Sequence, residues 1–418
     1  MSKRWIQFGS AVIAMIMIAN LQYAWTLFVA PLQAAHKDWK LPAIQWAFTL
    51  FIFLETWITP VEGWIIDRLG PRLFLTVGGV LVGIGWTGMG YAQTLTQLYV
   101  LYGTAGVGAA FIYSGSIATA LKWFPDKRGT VSGFITAGFG AGSALFIPII
   151  ARILAHADYK TAFLYTGIGQ GLLIIVAAQV LHNPGPDFNV SPASKKPVSP
   201  RIRRNPQQFN SLQMLATPHF WVLYVAFVLT SVGGLMITAQ ASPVGKSMAI
   251  PAAAIVAALS WSRLANGGGR IFWGWFSDLV GRELAMVIPF TLQALCLVGV
   301  LVLGKLSGDW FIVMMILVYF TWGSMFSLFP AIIGDYYGAQ NATSNYGFLY
   351  TAKGVASIGG GGVAAWLFIK FGNWSAAFYS TAILTFLSAV LILVLRTLPL
   401  PALAREEQQP SLATAKVS

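Results

Sequence analysis

The chain has 418 residues, of which 56% are hydrophobic and only 9% are charged, and its mean hydropathy is +0.69. This composition excludes soluble domains of ordinary size and indicates an integral membrane protein. The net charge of +13 does not indicate nucleic-acid binding, because the basic residues lie between apolar runs rather than along one polar face.

The apolar runs predict twelve membrane-spanning helices. A helix needs about 20 apolar residues to cross the hydrocarbon core of a bilayer. In chain order, the runs near that length cover residues 5–32, 43–66, 73–92, 97–121, 130–154, 161–181, 219–241, 252–276, 284–304, 309–333, 346–369 and 375–395. We therefore expect an all-α membrane protein with about twelve transmembrane helices, surrounded by the lipid bilayer.

A polar stretch divides these segments into two sets of six. Residues 182–218 are rich in Pro, Ser, Asn and Gln and contain five Lys or Arg residues. We interpret them as a flexible basic linker between an N-terminal bundle, residues 1–181, and a C-terminal bundle, residues 219–400. Residues 401–418 are polar and are expected to form a disordered cytoplasmic tail.

The distribution of Lys and Arg predicts the orientation in the membrane. These residues are concentrated at the N-terminus, in the linker and in the alternate loops of the same side. Because basic loops stay in the cytoplasm, we expect a multi-pass protein of the cell (inner) membrane with both termini cytoplasmic. Three cations remain inside the predicted helices: Arg263, Arg270 and Lys353.

A charged phrase occurs at the same place in each half. Gly63–Arg72 ends the second segment, and Gly274–Arg282 ends the eighth. The glycines permit a tight turn, and the charges can hold two helix ends together in one conformation. Repetition favours this gating role over a turn that only sets topology, and it predicts two six-helix units that rock for alternating access. The gating candidates are Asp67, Arg68, Arg72, Asp278 and Arg282.

Arg270 and Lys353 each lie in an otherwise apolar run. A cation in the hydrocarbon costs roughly 2.5–3.5 kcal/mol on insertion scales, so two such residues indicate a use for them. A guanidinium grips a carboxylate with two hydrogen bonds, and an ammonium adds a compact second charge. The pair therefore predicts anion binding. The alternatives are a fixed helix partner for each cation, or snorkelling to the interface.

Several phrases resemble known families. The paired charged phrases resemble the loop signature of the major facilitator superfamily, and Trp123–Gly129 is similar to a signature of the monocarboxylate transporters. Over nearly its whole length the chain resembles the bacterial oxalate/formate antiporters. This closer resemblance is carried by Gln22–Leu27, Gln45–Leu50, Phe320–Gly323, Asn345–Phe348 and the segments around Arg270 and Lys353.

The resemblance implies a substrate site between two six-helix halves. It implies that Arg270 and Lys353 bind the substrate from the eighth and eleventh helices. It also implies an aromatic lining with one polar contact: Tyr23, Tyr113, Phe139, Trp322, Phe326 and, as the polar contact, Gln45. The expected function is antiport of small carboxylates of the oxalate and formate type. We expect a monomer that needs no cofactor.

The chain departs from the antiporter pattern in four places. Phe139 and Phe326 stand where that pattern has tyrosines, so two hydroxyl donors are missing. Glu55 and Arg263 stand where it has neutral polar residues. Arg263 lies seven residues before Arg270 and therefore on the same helical face. Since the second helix lies beside the eleventh in this superfamily, we expect Glu55 nearer to Lys353 than to Arg263.

Glu55 has two interpretations. Burial favours the protonated carboxyl and a nearby cation favours the charged one, so Glu55 could take up a proton in one conformation and release it in another. The chain would then be a proton-coupled symporter of monocarboxylates such as lactate and pyruvate, with protons as a second partner. Alternatively, Glu55 forms a permanent ion pair. Glu62, at the cytoplasmic end of the same helix, is assigned to the loop network.

Other patterns carry no chemistry that we can assign. Gly83–Gly88 fits G-x-G-x-x-G but lies inside an apolar segment rather than after a strand, so a dinucleotide site is not expected. Gly359–Gly362 is interpreted as a close-packing or bending site. The four histidines lack metal-ligand spacing, and the single cysteine, Cys296, excludes an intramolecular disulfide. An enzyme or a membrane sensor would explain only the hydrophobicity, so we expect a secondary transporter.

Overall fold

A computed structural model describes residues 2–124, 128–185, 201–338 and 340–403. Within these ranges the chain forms helices and short turns, without a strand. The predictions for Pro125–Lys127, for residues 186–200 of the linker and for most of the tail lie outside the described residues. The side chain of Asp67 also lies outside them. The described part confirms the prediction of an all-α fold.

The described part of the first half contains seven helices. They are α1 (Ser2–Tyr23), α2 (Trp25–Ala35), α3 (Leu41–Trp57), α4 (Thr59–Met89), α5 (Leu95–Trp123), α6 (Arg128–His156) and α7 (Tyr159–Val180). The first predicted segment is broken at Ala24, between α1 and α2. Within α4 the backbone of Gly70 has φ 71° and ψ 159°, and Pro71 follows. Since glycine adopts positive φ without steric cost, the second and third predicted segments meet at this bend.

The second half, as far as it is described, contains nine helices and a π-helical turn. They are α8 (Ser211–Leu215), α9 (Pro218–Ser247), α10 (Ala252–Val280), α11 (Arg282–Val302), α12 (Gly308–Trp322), α13 (Met325–Tyr337), α14 (Ala342–Ile358), the π-turn Gly359–Val363, α15 (Ala364–Phe371) and α16 (Ser375–Thr397). The tenth predicted segment is therefore broken between α12 and α13, and the eleventh passes through the π-turn.

Twelve crossings result from these helices. Among the described residues, eleven helical stretches are long and apolar enough to span a membrane. The twelfth crossing is α10, which has 29 residues but contains Arg263 and Arg270. The prediction of two six-helix repeats is confirmed. We call the end of the bundle with the start of α1 and the end of α16 the linker side, and the opposite end the far side.

Helices from both halves meet at the centre of the bundle. α6 packs against α10, α3 packs against α14, and α2 packs against α9. Small residues permit this approach, since a Cβ on Gly267 would lie 2.9 Å from the Cβ of Ala141. α10 and α14 therefore bring Arg270 and Lys353 to the boundary between the halves.

Residues 201–217, which we call the strap, are bound to the second half. The Asn205 amide donates to the Asp335 carbonyl at 2.9 Å, and the Phe209 amide donates to the Tyr337 carbonyl at 2.9 Å. Arg203 Nη2 donates to the Leu398 carbonyl at 2.6 Å. The predicted flexibility of the linker is therefore wrong for this part. Its basic and polar residues find acceptors at the helix ends rather than remaining in water.

Candidate anion-binding site

Lys353 is fully buried on α14 and lies beside a carboxylate. Its Nζ donates to Glu55 Oε2 at 2.9 Å, to Gln22 Oε1 at 2.9 Å and to the Tyr350 hydroxyl at 3.1 Å. The expectation that Glu55 lies near Lys353 agrees with this geometry. Buried charges need such partners, because an isolated charge is costly to remove from water. In this conformation the charge of Lys353 is balanced.

Arg270 has only neutral partners. Its Nη1 donates to the Thr136 carbonyl at 2.8 Å, and its Nη2 lies 3.5 Å from the Tyr23 hydroxyl. Both Nε and Nη2 donate to Asn266 Oδ1, at 3.3 and 3.1 Å. Among the described residues no carboxylate lies within ion-pair distance of this guanidinium, which is 2% exposed. Arg270 is therefore a buried cation whose charge the protein leaves uncompensated.

The five aromatic residues implied by the resemblance surround these cations. The Tyr23 and Phe139 ring centroids lie 5.4 Å apart, as do those of Phe139 and Tyr113. Phe326 contacts Trp322 at 5.3 Å. The Arg270 guanidinium carbon lies 4.2 Å from the Phe326 centroid, and Lys353 Nζ lies 5.7 Å from that of Phe139. These rings exclude water and so strengthen charge interactions at the centre. That they line a substrate site stays a prediction.

Gln45 lies apart from this cluster. Its Nε2 donates to the Ala239 carbonyl at 2.8 Å and to Gln240 Oε1 at 3.0 Å, while its Oε1 accepts from Trp25 Nε1 at 3.0 Å. Gln45 thus joins the two halves toward the far side. Its predicted contact with substrate remains untested.

Arg263 also lies in the protein interior, two turns before Arg270. Its Nε donates to the Leu259 carbonyl of its own helix at 3.3 Å. Since Glu55 pairs with Lys353, an ion pair between Glu55 and Arg263 is not formed in the described structure.

The gating candidates form contacts at the linker side. Arg282 binds Asp278 at 2.7 Å and Asp335 at 2.8 Å, and Arg204 of the strap also binds Asp335 at 2.8 Å. In the first half, Arg72 Nε donates to Gln179 Oε1 at 2.7 Å. Arg68 is exposed on α4, and the Asp67 side chain lies outside the described residues. The gating role of these residues stays a prediction.

A cavity of about 490 Å³ lies between the halves on the linker side. Thr59, Pro60 and Ser114 line it from the first half, and Tyr346 and Tyr350 line it from the second. Tyr350 also contacts Lys353, so the cavity ends next to the buried cations. It extends from the linker side toward the site, whose cations stay buried. In the described part of the chain, no group of His, Cys, Asp or Glu residues could hold a metal ion.

Sequence reasoning missed four residues of these networks. They are Asn266, Tyr319, Tyr350 and Asp335. Asn266 and Tyr350 had a local signal, because they lie four and three residues before the cation that each contacts. Tyr319 and Asp335 had none, since only the fold brings them to Arg263 and Arg282.

Comparisons with a family model and with individual proteins identify the same family. Residues 10–361 match the model of the Major Facilitator Superfamily. The chain is 39% identical to the oxalate:formate antiporter of Oxalobacter formigenes over 94% of this chain and 91% of the relative. It is 25% identical to the uncharacterized MFS-type transporter YhjX of Escherichia coli, over 85% and 86% of the two chains. Monocarboxylate transporter 12-B of Danio rerio is 22% identical, over 85% and 79%.

Proposed function

The chain belongs to the major facilitator superfamily, and we propose that this transport protein exchanges small carboxylate anions across the cell membrane by alternating access. One observation carries the proposal. Arg270 is a buried guanidinium at the boundary between the halves, and every hydrogen-bond partner it has among the described residues is neutral. A carboxylate would supply the missing negative charge. The antiporter of Oxalobacter formigenes, by its name, exchanges two such anions.

The geometry around Arg270 suits a small, flat anion. A carboxylate that enters from the linker-side cavity can replace Asn266 Oδ1 and the Thr136 carbonyl as the acceptor for the guanidinium fork. Phe326 and Phe139 flank the cation with rings that carry no hydroxyl group. Because the site is enclosed by rings, the charge interaction is only weakly screened. Arg270 is therefore the proposed primary substrate-binding residue, with Lys353 as the second cation.

The ion pair of Glu55 and Lys353 favours a second candidate function, proton-coupled symport of a monocarboxylate. A proton on Glu55 would leave Lys353 without its counter-charge, and a carboxylate could then bind Lys353. Proton and anion would move together. In simple exchange, by contrast, an incoming anion takes the place of the outgoing one, and Glu55 keeps its charge throughout.

The oligomeric state, the membrane and the orientation of the chain also form part of the proposal. We infer a monomer of the inner membrane that needs no cofactor, with both termini in the cytoplasm. The linker side then faces the cytoplasm, which agrees with the basic residues of that side. Residues 1–181 and 219–400 are the two proposed moving units.

Uptake into proteoliposomes tests the proposal. Vesicles that contain oxalate or formate inside should take up radiolabelled oxalate or formate, while empty vesicles should not. Uptake of lactate or pyruvate that follows an imposed pH gradient without internal anion would support symport instead. Transport of none of these four anions in either mode would contradict both candidates.

Two arginine variants test whether the transported carboxylate binds at Arg270. Arg270→Gln should abolish uptake, since Lys353 is balanced by Glu55 and does not replace the lost charge, while the protein remains folded and inserted. Arg152→Gln removes an exposed arginine of α6 and is the matched control, which should transport normally. Full uptake by Arg270→Gln would show that the carboxylate binds elsewhere.

A further inference from the structure

Arg263 has an unfilled pair of hydrogen-bond donors in the interior of the bundle. The residue is 0% exposed, and its guanidinium carbon lies 3.8 Å from the Tyr319 ring centroid and 4.6 Å from that of Tyr23. Its Nε is bonded to the Leu259 carbonyl, but neither Nη1 nor Nη2 has a hydrogen-bond partner. A buried charged group with free donors is costly, so packing alone does not explain this arginine.

The described structure offers no carboxylate to Arg263. Glu55 is engaged by Lys353, and the other carboxylates in ion pairs, such as Asp335, lie at the linker side. The two tyrosine faces attract the cation through their ring quadrupoles but carry no full negative charge. The free edge of the guanidinium, Nη1 with Nη2, is one that can bind the two oxygens of a carboxylate side by side.

A second unsatisfied donor lies in the same neighbourhood. Trp322 Nε1 is buried without an acceptor, and its ring lies 6.3 Å from that of Tyr23 and 5.7 Å from that of Tyr319. Trp322 therefore shares both ring neighbours with Arg263. The Nε1 edge of Trp322 packs against Gly234 of α9, so Arg263 supplies the donors left for a ligand, and a ligand that fits them must offer acceptors. An ionised carboxylate is acceptor-only.

Tyr23 separates Arg263 from Arg270. Its ring faces Arg263, whereas its hydroxyl lies 3.5 Å from Arg270 Nη2. The two arginines are seven residues apart on α10, which places them on one face and about 10 Å apart along the helix axis. Since α10 runs from the far side to the linker side, Arg263 is the arginine nearer the far side.

We propose that Arg263 forms a second anion subsite, which holds one small carboxylate on the far side of Tyr23 while another occupies Arg270. This inference rests on the proposed function, because both anions belong to the same transport path. Two subsites in series allow an incoming anion to wait at Arg263 until the outgoing anion leaves Arg270. The balanced pair of Glu55 and Lys353 leaves these two arginines as the uncompensated cations of the described centre.

Equilibrium binding of radiolabelled formate to the purified full-length protein tests the subsite. Wild type should bind two formates per chain. Arg263→Gln and Arg270→Gln should each bind one, and the double variant should bind none. Arg152→Gln, the exposed control, should keep both sites. The melting temperature measured with and without formate provides a parallel readout, because a ligand that binds only the folded state stabilises it.

The outcomes separate this proposal from the proposed function. One formate per wild-type chain, unchanged in Arg263→Gln, would overturn the second subsite and leave carboxylate transport intact. No binding or stabilisation of wild type by formate or oxalate would contradict the proposed function itself. If Arg263→Gln does not fold, Arg263→Lys tests the subsite instead. The lysine ammonium keeps the charge but lacks the two parallel N–H donors of the guanidinium. About tenfold weaker binding at one of two sites supports the subsite, and unchanged affinity at both overturns it.

Discussion

Two buried glutamates near the centre differ in their surroundings. Glu55 Oε2 accepts from Lys353 Nζ at 2.9 Å. Glu62, seven residues later, is 1% exposed, and neither of its carboxylate oxygens has a hydrogen-bond partner among the described residues. The assignment of Glu62 to the loop network stays a prediction, because the side chain of Asp67 in that loop lies outside the described residues. The two acids occupy sites of similar burial but opposite electrostatic balance.

This difference predicts opposite effects of one substitution. Glu55→Gln leaves Lys353 buried without its counter-charge, which should destabilise the protein by about 3–5 kcal/mol. Glu62→Gln replaces an unsatisfied acid by a neutral amide of similar shape, and it should stabilise the protein by on the order of 1 kcal/mol. Thermal unfolding of both variants in the same detergent measures the effects. Equal destabilisation by the two changes would show that Glu62 has a counter-charge.

Two glycines on either side of Gly268 fix the position of α10. A Cβ on Gly267 would lie 2.9 Å from the Ala141 Cβ of α6, and a Cβ on Gly269 would collide with the Phe320 carbonyl of α12. A Cβ on Gly268, between them, would meet nothing within 4 Å. α10 is therefore in close contact with two helices just before Arg270, and the guanidinium position depends on that packing.

The middle glycine gives a matched control for this packing. Gly269→Ala should push α10 away from α12, cost about 1–3 kcal/mol through overpacking, and lower transport by moving Arg270. Gly268→Ala should be tolerated and gain up to about 1 kcal/mol, because alanine favours a helix more than glycine does. The melting temperature and the rate of anion exchange, measured for both variants, test this prediction. Wild-type behaviour of Gly269→Ala would show that α10 and α12 are not in this contact.

The sequence predicted the helices better than their interruptions. Hydropathy is continuous across Ala24 and across Gly323, so the apolar runs contain no signal for the breaks that follow α1 and α12. The glycine run 359–362 did carry a signal, and the π-turn there lets Gly361 approach Thr49 closely. Arg270 and Lys353 were predicted as site residues because they are charged residues in apolar segments. The aromatic cluster was predicted from the family resemblance. The contacts of Arg263 could not be predicted, because Tyr319 reaches it only through tertiary packing.

At the scale of the whole molecule, the two ends of the central path differ. On the far side, hydrogen bonds join the halves: Gln45 Nε2 donates to Gln240 Oε1 at 3.0 Å, and the Ser242 amide donates to Thr26 Oγ1 at 2.8 Å. On the linker side, the cavity of about 490 Å³ lies between α4, α5 and α14 and ends where the rings of Tyr113 and Tyr350 stack, with centroids 5.6 Å apart. The described conformation is therefore closed toward the far side, and its linker-side cavity ends short of the buried Arg270 and Lys353.

This asymmetry predicts which positions react with a bulky, water-soluble maleimide. In a Cys296→Ser background, Ser114→Cys in the linker-side cavity should be labelled faster than Ser242→Cys, whose native serine is 4% exposed. The detergent-solubilised protein is used, so both ends are in contact with the reagent. Faster labelling at position 242 would mean that the far side is the open one.

Gln45→Ala should then shift the balance between the two conformations. It removes two hydrogen bonds between the halves, to the Ala239 carbonyl and to Gln240 Oε1. At about 1 kcal/mol each, their loss should raise the ratio of labelling at position 242 to labelling at position 114 by roughly 5- to 30-fold. Gln97→Ala is the matched control, since the Gln97 side chain bonds only to the turn at residues 93 and 94 within one half and should leave the ratio unchanged. An unchanged ratio in Gln45→Ala would show that these bonds do not hold the far side closed, and an equal shift in the control would trace the effect to general loosening of the bundle.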